Sequence, residues 1–255
     1  MLMIPDVVWN EIKNLIPEKK SSVGRPLSDA KLTLSGVFYI MVTGAQWRCL
    51  PYYYGKPSTV HGRFRCWIND GVFERILNKS IELAIAKNGE PESFFCDTSS
   101  SKAPLAKFGG KNPTDRRKNG VKRGMVIDIN RIILSILIDS ANRHDSKLLV
   151  PHIERIEKFL HRPKVMSTDS AWDIEDLRKK LALKNLALHA STNVRRNKNK
   201  RKIKSGGRWR IEQVFGIQQW NRGIKFCWTK TIDSYLALCQ FVSSVHNFKL
   251  AGIFG

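Results

Sequence analysis

The eight residues Arg208-Trp209-Arg210-Ile211-Glu212-Gln213-Val214-Phe215 place one carboxylate among arginines and a tryptophan. Apolar residues at Ile211, Val214, Phe215 and Ile217 give a helical rhythm, so Arg208, Glu212 and Phe215 fall on neighbouring turns. A glutamate beside a buried stripe needs a partner. One choice is Arg208, one turn earlier, as an ordinary helix ion pair contributing about 0.2–0.5 kcal/mol. The other is a metal ion held jointly with carboxylates from elsewhere in the fold. Asp97 follows Phe94-Phe95-Cys96, and Asp169 follows the run from Lys164 to Thr168. Both runs read as short strands, which predicts two carboxylates at strand ends, where α/β folds gather functional groups. Either aspartate alone is equally a turn or cap residue. Three carboxylates on one sheet and its adjoining helix repel one another unless a cation sits between them. Two Mg²⁺ ions, for which Mn²⁺ substitutes, would meet that need and suit phosphodiester displacement. Asp115 and Asp145 are rival ligands, ranked lower because Asp115 falls in a glycine- and charge-rich loop and Asp145 reads as a helix N-cap.

The charge balance supplies a partner for that chemistry. Lys plus Arg number 44 against 22 Asp plus Glu in 255 residues, a formal net charge of +22 that calls for a polyanion, with nucleic acid leading. Between positions 195 and 204 stand Arg195, Arg196, Lys198, Lys200, Arg201, Lys202 and Lys204, just before Arg208 and the Glu212 helix. A second run, Arg116, Arg117, Lys118, Lys122 and Arg123, follows the first aspartate. Such runs are often solvated loops; here their tethering near the carboxylates favours phosphate contact, with affinity falling at about 0.9 per contacted phosphate in log–log salt dependence. No apolar run of membrane-spanning length, basic amphipathic N-terminus or signal peptide is apparent, so no membrane partner is expected. Five cysteines without a C-x-x-C pair argue against disulfides and a zinc knuckle, and reduced thiols in a cytoplasmic compartment are expected. The six histidines show no metal spacing, and His144 is expected to fix a loop. Trp172, Trp209 and Trp220 are expected in core packing, with base stacking by Trp172 the alternative.

These residues need a scaffold. Helix spacing covers Val8 to Ile16, and a second helix runs from a cap at Ser28 or Asp29 to Thr43, with Gly44 as its stop. A third begins at Ser58 or Thr59 and carries His61, Arg63 and Arg65 interleaved with Phe64 and Trp67, as in a recognition helix of a helix-turn-helix-like unit. A fourth runs from Val72 to Lys87, and Asn88-Gly89-Glu90-Pro91 reads as a linker. Beyond it, strands are predicted at 94–96, 125–129, 132–138, 164–168 and 186–188, and helices at 147–160, 174–183, 208–225 and 232–250. The expectation is a helical unit over 1–90 and a mixed sheet with covering helices over 91–255.

Taken in order, these residues resemble the insertion-sequence transposases of the DDE type. The resemblance rests on Gly24-Arg25-Pro26-Leu27, Phe38-Tyr39, Thr43-Gly44, Gln46-Trp47-Arg48, Leu50-Pro51 and Tyr54-Gly55 in the first part. In the second it rests on Asn112-Pro113-Thr114-Asp115-Arg116, Lys122-Arg123 and Ala141-Asn142-Arg143-His144-Asp145, together with Arg208 and Glu212. It implies an RNase H-like core with Asp97, Asp169 and Glu212 as the metal-binding acids. It also implies cutting of double-stranded DNA at an element's ends and joining of the 3′ hydroxyls to target DNA. No covalent protein intermediate or nucleotide cofactor is needed, and a homodimer or larger assembly would join two ends. Ser205 and Gln219 stand where relatives often have tyrosine and lysine, with Lys225 as a candidate replacement for the lysine. A nuclease on the same core, or a DNA-binding protein without catalysis, are the competing readings.

Overall fold

A computed structural model describes residues 2–17, 28–172, 174–190 and 206–254. Gly24-Arg25-Pro26-Leu27 and the basic run at 195–204 lie outside the described residues.

Four helices open the chain: α1 (Asp6–Ile12), α2 (Ala30–Thr43), α3 (Pro57–Asn69) and α4 (Val72–Asn88). Asp29 caps α2 by accepting from the Leu32 amide at 2.7 Å, and Gly44 ends it in the left-handed conformation, φ 67°. The start of α3 differs from the sequence expectation. Pro57 occupies its first turn after Lys56, because a proline with fixed φ and no N–H suits the first helical position.

The sheet comprises β1 (Ser93–Lys102), β2 (Gly110–Lys111), β3 (Asn119–Asp128), β4 (Ile133–Ser140), β5 (Lys164–Thr168) and β6 (Leu186–Ala190). The path runs β2-β3-β1-β5-β6, with β4 also paired to β3. β1 is antiparallel to β3 and parallel to β5, and β6 is parallel to β5. This is the expected mixed sheet flanked by helices, α5 (Leu149–Ile156) against β4 and α6 (Glu175–Ala182) against β6. Strands β1 and β3 are longer than apolar patterning shows. Thr98 to Ser101 carry little hydrophobic signal, yet their backbone pairs with β3 from Thr98↔Gly124 to Ser101↔Val121. Asp97 therefore lies within β1 and not at its end.

The single helix expected over 208–225 is two: α7 (Trp209–Gln219) and α8 (Arg222–Lys225). The break lets Gly223 sit against the end of α2, where a Cβ would lie 2.8 Å from the Met41 carbonyl oxygen. The last helix, α9 (Ile232–Leu250), is buried along most of its length and packs on both α4 and β4. Asn247 joins the three: its Oδ1 accepts from the Ile133 amide, and its Nδ2 donates to the Ile133 carbonyl and to Ser80. One continuous apolar core thus runs from α1 through α9 to the sheet. No described helix is long and apolar enough to cross a membrane.

Candidate active site

Parallel pairing of β1 with β5 sets Ser93 beside Val165 and Phe95 beside Ser167. Asp97 lies two residues further along β1 and Asp169 directly follows the last residue of β5, so both carboxylates come to the same region of the sheet. Between them comes Arg208. Its Nη2 lies 2.7 Å from Asp97 Oδ2 and its Nη1 3.2 Å from Asp169 Oδ1. The turn before α7 makes this approach: Gly207 has φ 81°, and a Cβ there would lie 2.8 Å from the Phe95 ring. Arg208 is thus occupied by two carboxylates across the fold and not by Glu212 one turn on, the pairing that helix spacing offered.

Electrostatics follow the burial. Burial pushes the Asp97 carboxyl above the usual carboxylate range, against the pull of the Arg208 hydrogen bond and the Thr98 amide. Burial also works against the Arg208 charge, but its hydrogen bond to Asp97 and the negative charges of Asp97, Asp169 and Glu212 outweigh this and raise it. Two carboxylates held against one guanidinium make a site that requires positive charge, so Asp97 and Asp169 fit a divalent cation by donor type and convergence. Glu212 lies on the first turn of α7 and is exposed. Among the described residues no three His, Cys, Asp or Glu side chains gather closely enough to hold a metal.

A further carboxylate stands beside this pair. Asp145 accepts from Thr98 Oγ1 at 2.9 Å and pairs with Lys122 Nζ at 2.7 Å, which ties it to the residue after Asp97. It is not the cap that its sequence position suggested. That role falls to His144, whose Nδ1 accepts from the Ser146 amide, and His144 does fix its loop. Asp115 lies away on the β2–β3 hairpin, 3.8 Å from Lys102.

The expected basic surfaces divide. Arg116, Arg117 and Lys118 are exposed at the tip of the β2–β3 hairpin. Lys122 and Arg123 are withdrawn from that surface: Lys122 is spent on Asp145 and the Arg143 carbonyl, and Arg123 is fully buried on Gln218 and the Phe215 ring. Alternation along a strand explains this, since β3 is covered on both faces and its cations point into the fold. In α3, Arg65 is exposed, whereas Arg63 holds Ser28 and Thr33 and lies over Trp67. His61 is half-buried, with its ring centroid 4.7 Å from that of Trp47. Arg195, Arg196, Lys198, Lys200, Arg201, Lys202 and Lys204 lie outside the described residues. Trp172 is buried as expected, but Trp209 and Trp220 are 56% and 84% exposed and do not belong to the core. Gln219 closes α7 half-buried, and Lys225 ends α8 exposed.

Residues 90–240 match a family model described as "Transposase DDE domain", and residues 4–77 match one described as "Putative transposase of IS4/5 family". Two relatives come from Burkholderia cepacia. "Putative transposase for insertion sequence element IS402" is 35% identical over 79 residues, 28% of this chain and 37% of the relative. "Insertion element IS402 uncharacterized 16.2 kDa protein" is 33% identical over 91 residues, 33% of this chain and 59% of the relative. The chain thus spans well under two thirds of either relative. Among solved structures, the piggyBac transposase synaptic complex with hairpin DNA is 10% identical at a TM-score of 0.41, covering 98% of this chain and 74% of that one. At that level it decides nothing further.

Proposed function

Because the chain belongs to the DDE transposases, with a family match over residues 90–240, we propose that it cuts DNA at the ends of an insertion sequence and joins those ends to target DNA. The observation that carries this reading is the pair Asp97, in β1, and Asp169, directly after the parallel neighbour β5, sharing the guanidinium of Arg208. In the same proposal residues 1–90 bind DNA and residues 91–255 carry the chemistry.

Asp97 and Asp169 would hold divalent metal, Mg²⁺ or Mn²⁺, with Glu212 as the third acid from α7. The bound metal supplies Lewis acidity that offsets the charge developing on the phosphate. The chain's own contribution is position. β1 carries Asp97 and β5 leads directly into Asp169, and Thr98, held by Asp145, keeps the strand beside Asp97 in place. Arg208 neutralises the pair and, when a cation replaces it, stands free within reach of a phosphate oxygen. In the first step a water oxygen bonds to phosphorus as the bond to the 3′ oxygen breaks, leaving a 3′ hydroxyl. That hydroxyl then attacks a target phosphodiester, and one target strand departs with its own 3′ oxygen. Bond number is conserved in the second step, so no external energy source is required. Arg116, Arg117, Lys118 and Arg65 would meet the DNA backbone from the described surface.

The test mixes the protein with DNA carrying the element's ends, with and without Mg²⁺ or Mn²⁺, and reads the products on a sequencing gel beside the Asp97→Asn variant. Metal-dependent nicks at the ends, absent in the variant, together with joined products, are the expected result. Nicks without joined products would make the chain a nuclease. Tight binding without cutting under any metal would make it a DNA-binding protein.

A further inference from the structure

A cavity of about 860 Å³ opens between α2, α3 and the start of α9, within the range of sites that enclose a small ligand. It is separate from the carboxylates. One wall, 226–231, is tied to the sheet where Phe226 bridges Lys102, five residues beyond Asp97 and about 17 Å along the strand.

Its floor is apolar, with Ile40, Leu105 and Leu238, and Thr229, Thr231 and Ser234 add hydroxyls. Trp47, His61 and Trp228 supply flat rings, and Arg65 and Lys230 supply positive charge, with Gln46 as a neutral donor and acceptor. Among the described residues no aspartate or glutamate lines it. The rings are not ordinary core. Trp228 lines the cavity and is 49% exposed, so its ring is open to a ligand there. Trp47 lies 5.2 Å from the Phe64 ring, and burial, then the nearby Arg65, lower the pKa of its other neighbour His61. Flat aromatic surfaces and cations without acids match a planar base joined to a phosphate.

We infer that this cavity takes one unstacked nucleotide of the bound DNA, its base against Trp228 and Trp47 and its phosphate toward Arg65 and Lys230. The inference rests on the DNA-binding reading above. It gives the face between the N-terminal helices and α9 a role in sensing an unpaired or distorted position, at a distance from the place where bonds are broken. Extrusion costs least where pairing is already broken, so the site selects DNA with a mismatch, a bulge or a frayed end.

The experiment compares two labelled duplexes of identical sequence, one fully paired and one with a single bulged thymidine, binding to the full chain without added metal. The expected result is about tenfold tighter binding of the bulged duplex, within what one base–aromatic stack provides. In Trp228→Ala the preference should fall to near one, and Trp228→Phe should restore most of it. Arg65→Gln should lower it partway. Free thymidine 5′-monophosphate at millimolar concentration should compete away the preference and leave paired-duplex binding in place. Equal binding of both duplexes by the wild type overturns the inference and leaves the DNA-binding reading standing. Failure to bind either duplex overturns both. If Trp228→Ala keeps the preference but converts a dimer to a monomer in sedimentation, the groove seats a second copy and the inference is overturned.

Discussion

Arg208 is the residue on which the site turns, because its guanidinium stands where two carboxylates otherwise face each other uncompensated. Arg208→Gln removes that charge and leaves Asp97 and Asp169 to repel. The expected outcome is a loss of about 1–2 kcal/mol at neutral pH, smaller than for a fully buried pair because these groups keep some solvent. Added Mn²⁺ should then raise the melting temperature of Arg208→Gln more than that of the wild type, and should leave Asp97→Asn unmoved. Thermal scans with and without Mn²⁺ check this without any DNA. A second residue-scale outcome concerns Asp128. Its Oδ1 accepts from the Ile132 amide, its Oδ2 is buried without a partner, and burial lifts its pKa from 3.8 to about 6. A raised carboxyl contributes stability below about pH 4 that is lost as pH climbs to about 6. Relative to Asp128→Asn, the wild type should therefore lose on the order of 2 kcal/mol across that window and stay level above it. Urea midpoints of the two proteins from pH 3.5 to 7.5 give the comparison.

At the scale of elements, the β2–β3 hairpin shows a conflict between local geometry and use. Arg116 and Arg117 both have left-handed backbone, φ 48° and 59°, a conformation that costs an L-residue roughly 1 kcal/mol or more. The hairpin thereby presents two exposed cations side by side. Arg117→Asn relieves the strain and should stabilise the fold by about 0.5–1 kcal/mol, since asparagine tolerates this region. It should also weaken DNA binding and reduce the slope of log affinity against log salt by about 0.9. Stability and affinity moving in opposite directions is the outcome to look for; a parallel loss of both would mean the arginine serves the fold. The β1–β5 pair shows the opposite, an element whose geometry and use agree. Parallel pairing of β1 with β5 helps bring two aspartates 72 positions apart in the chain to one guanidinium.

For the whole molecule, the core is shared. α9 is covered by α4 on one side and β4 on another, and Asn247 ties all three through its amide. The proposed division at residue 90 is thus a division of tasks laid over one continuous hydrophobic interior. A single cooperative unfolding transition is expected, with tryptophan fluorescence and far-ultraviolet circular dichroism giving coincident midpoints. Two separated transitions would mean that the helices and the sheet hold together independently. Gly44 and Gly223 mark one close approach of the halves, since a Cβ at Gly44 would press on Arg222 and one at Gly223 on the Met41 backbone.

The helical start, the mixed sheet and the excess of positive charge were all legible in the residues. Apolar periodicity, capping residues and charge act locally, and local physics is written in order along the chain. Helix α2 was bounded at both ends by Asp29 and Gly44 for that reason. What the chain order left open was decided by register and burial. Apolar patterning ended β1 before Asp97, because Thr98 to Ser101 pair through backbone groups that every residue carries. Spacing offered Arg208 to Glu212, whereas the turn at Gly207 delivered it to Asp97 and Asp169. Lys122 and Arg123 counted as surface cations until a strand covered on both faces turned them inward, and Trp209 and Trp220 counted as core until α7 left them in solvent. Residue type states what a side chain can do; only the packing of distant segments fixes which side of the boundary with water it does it on.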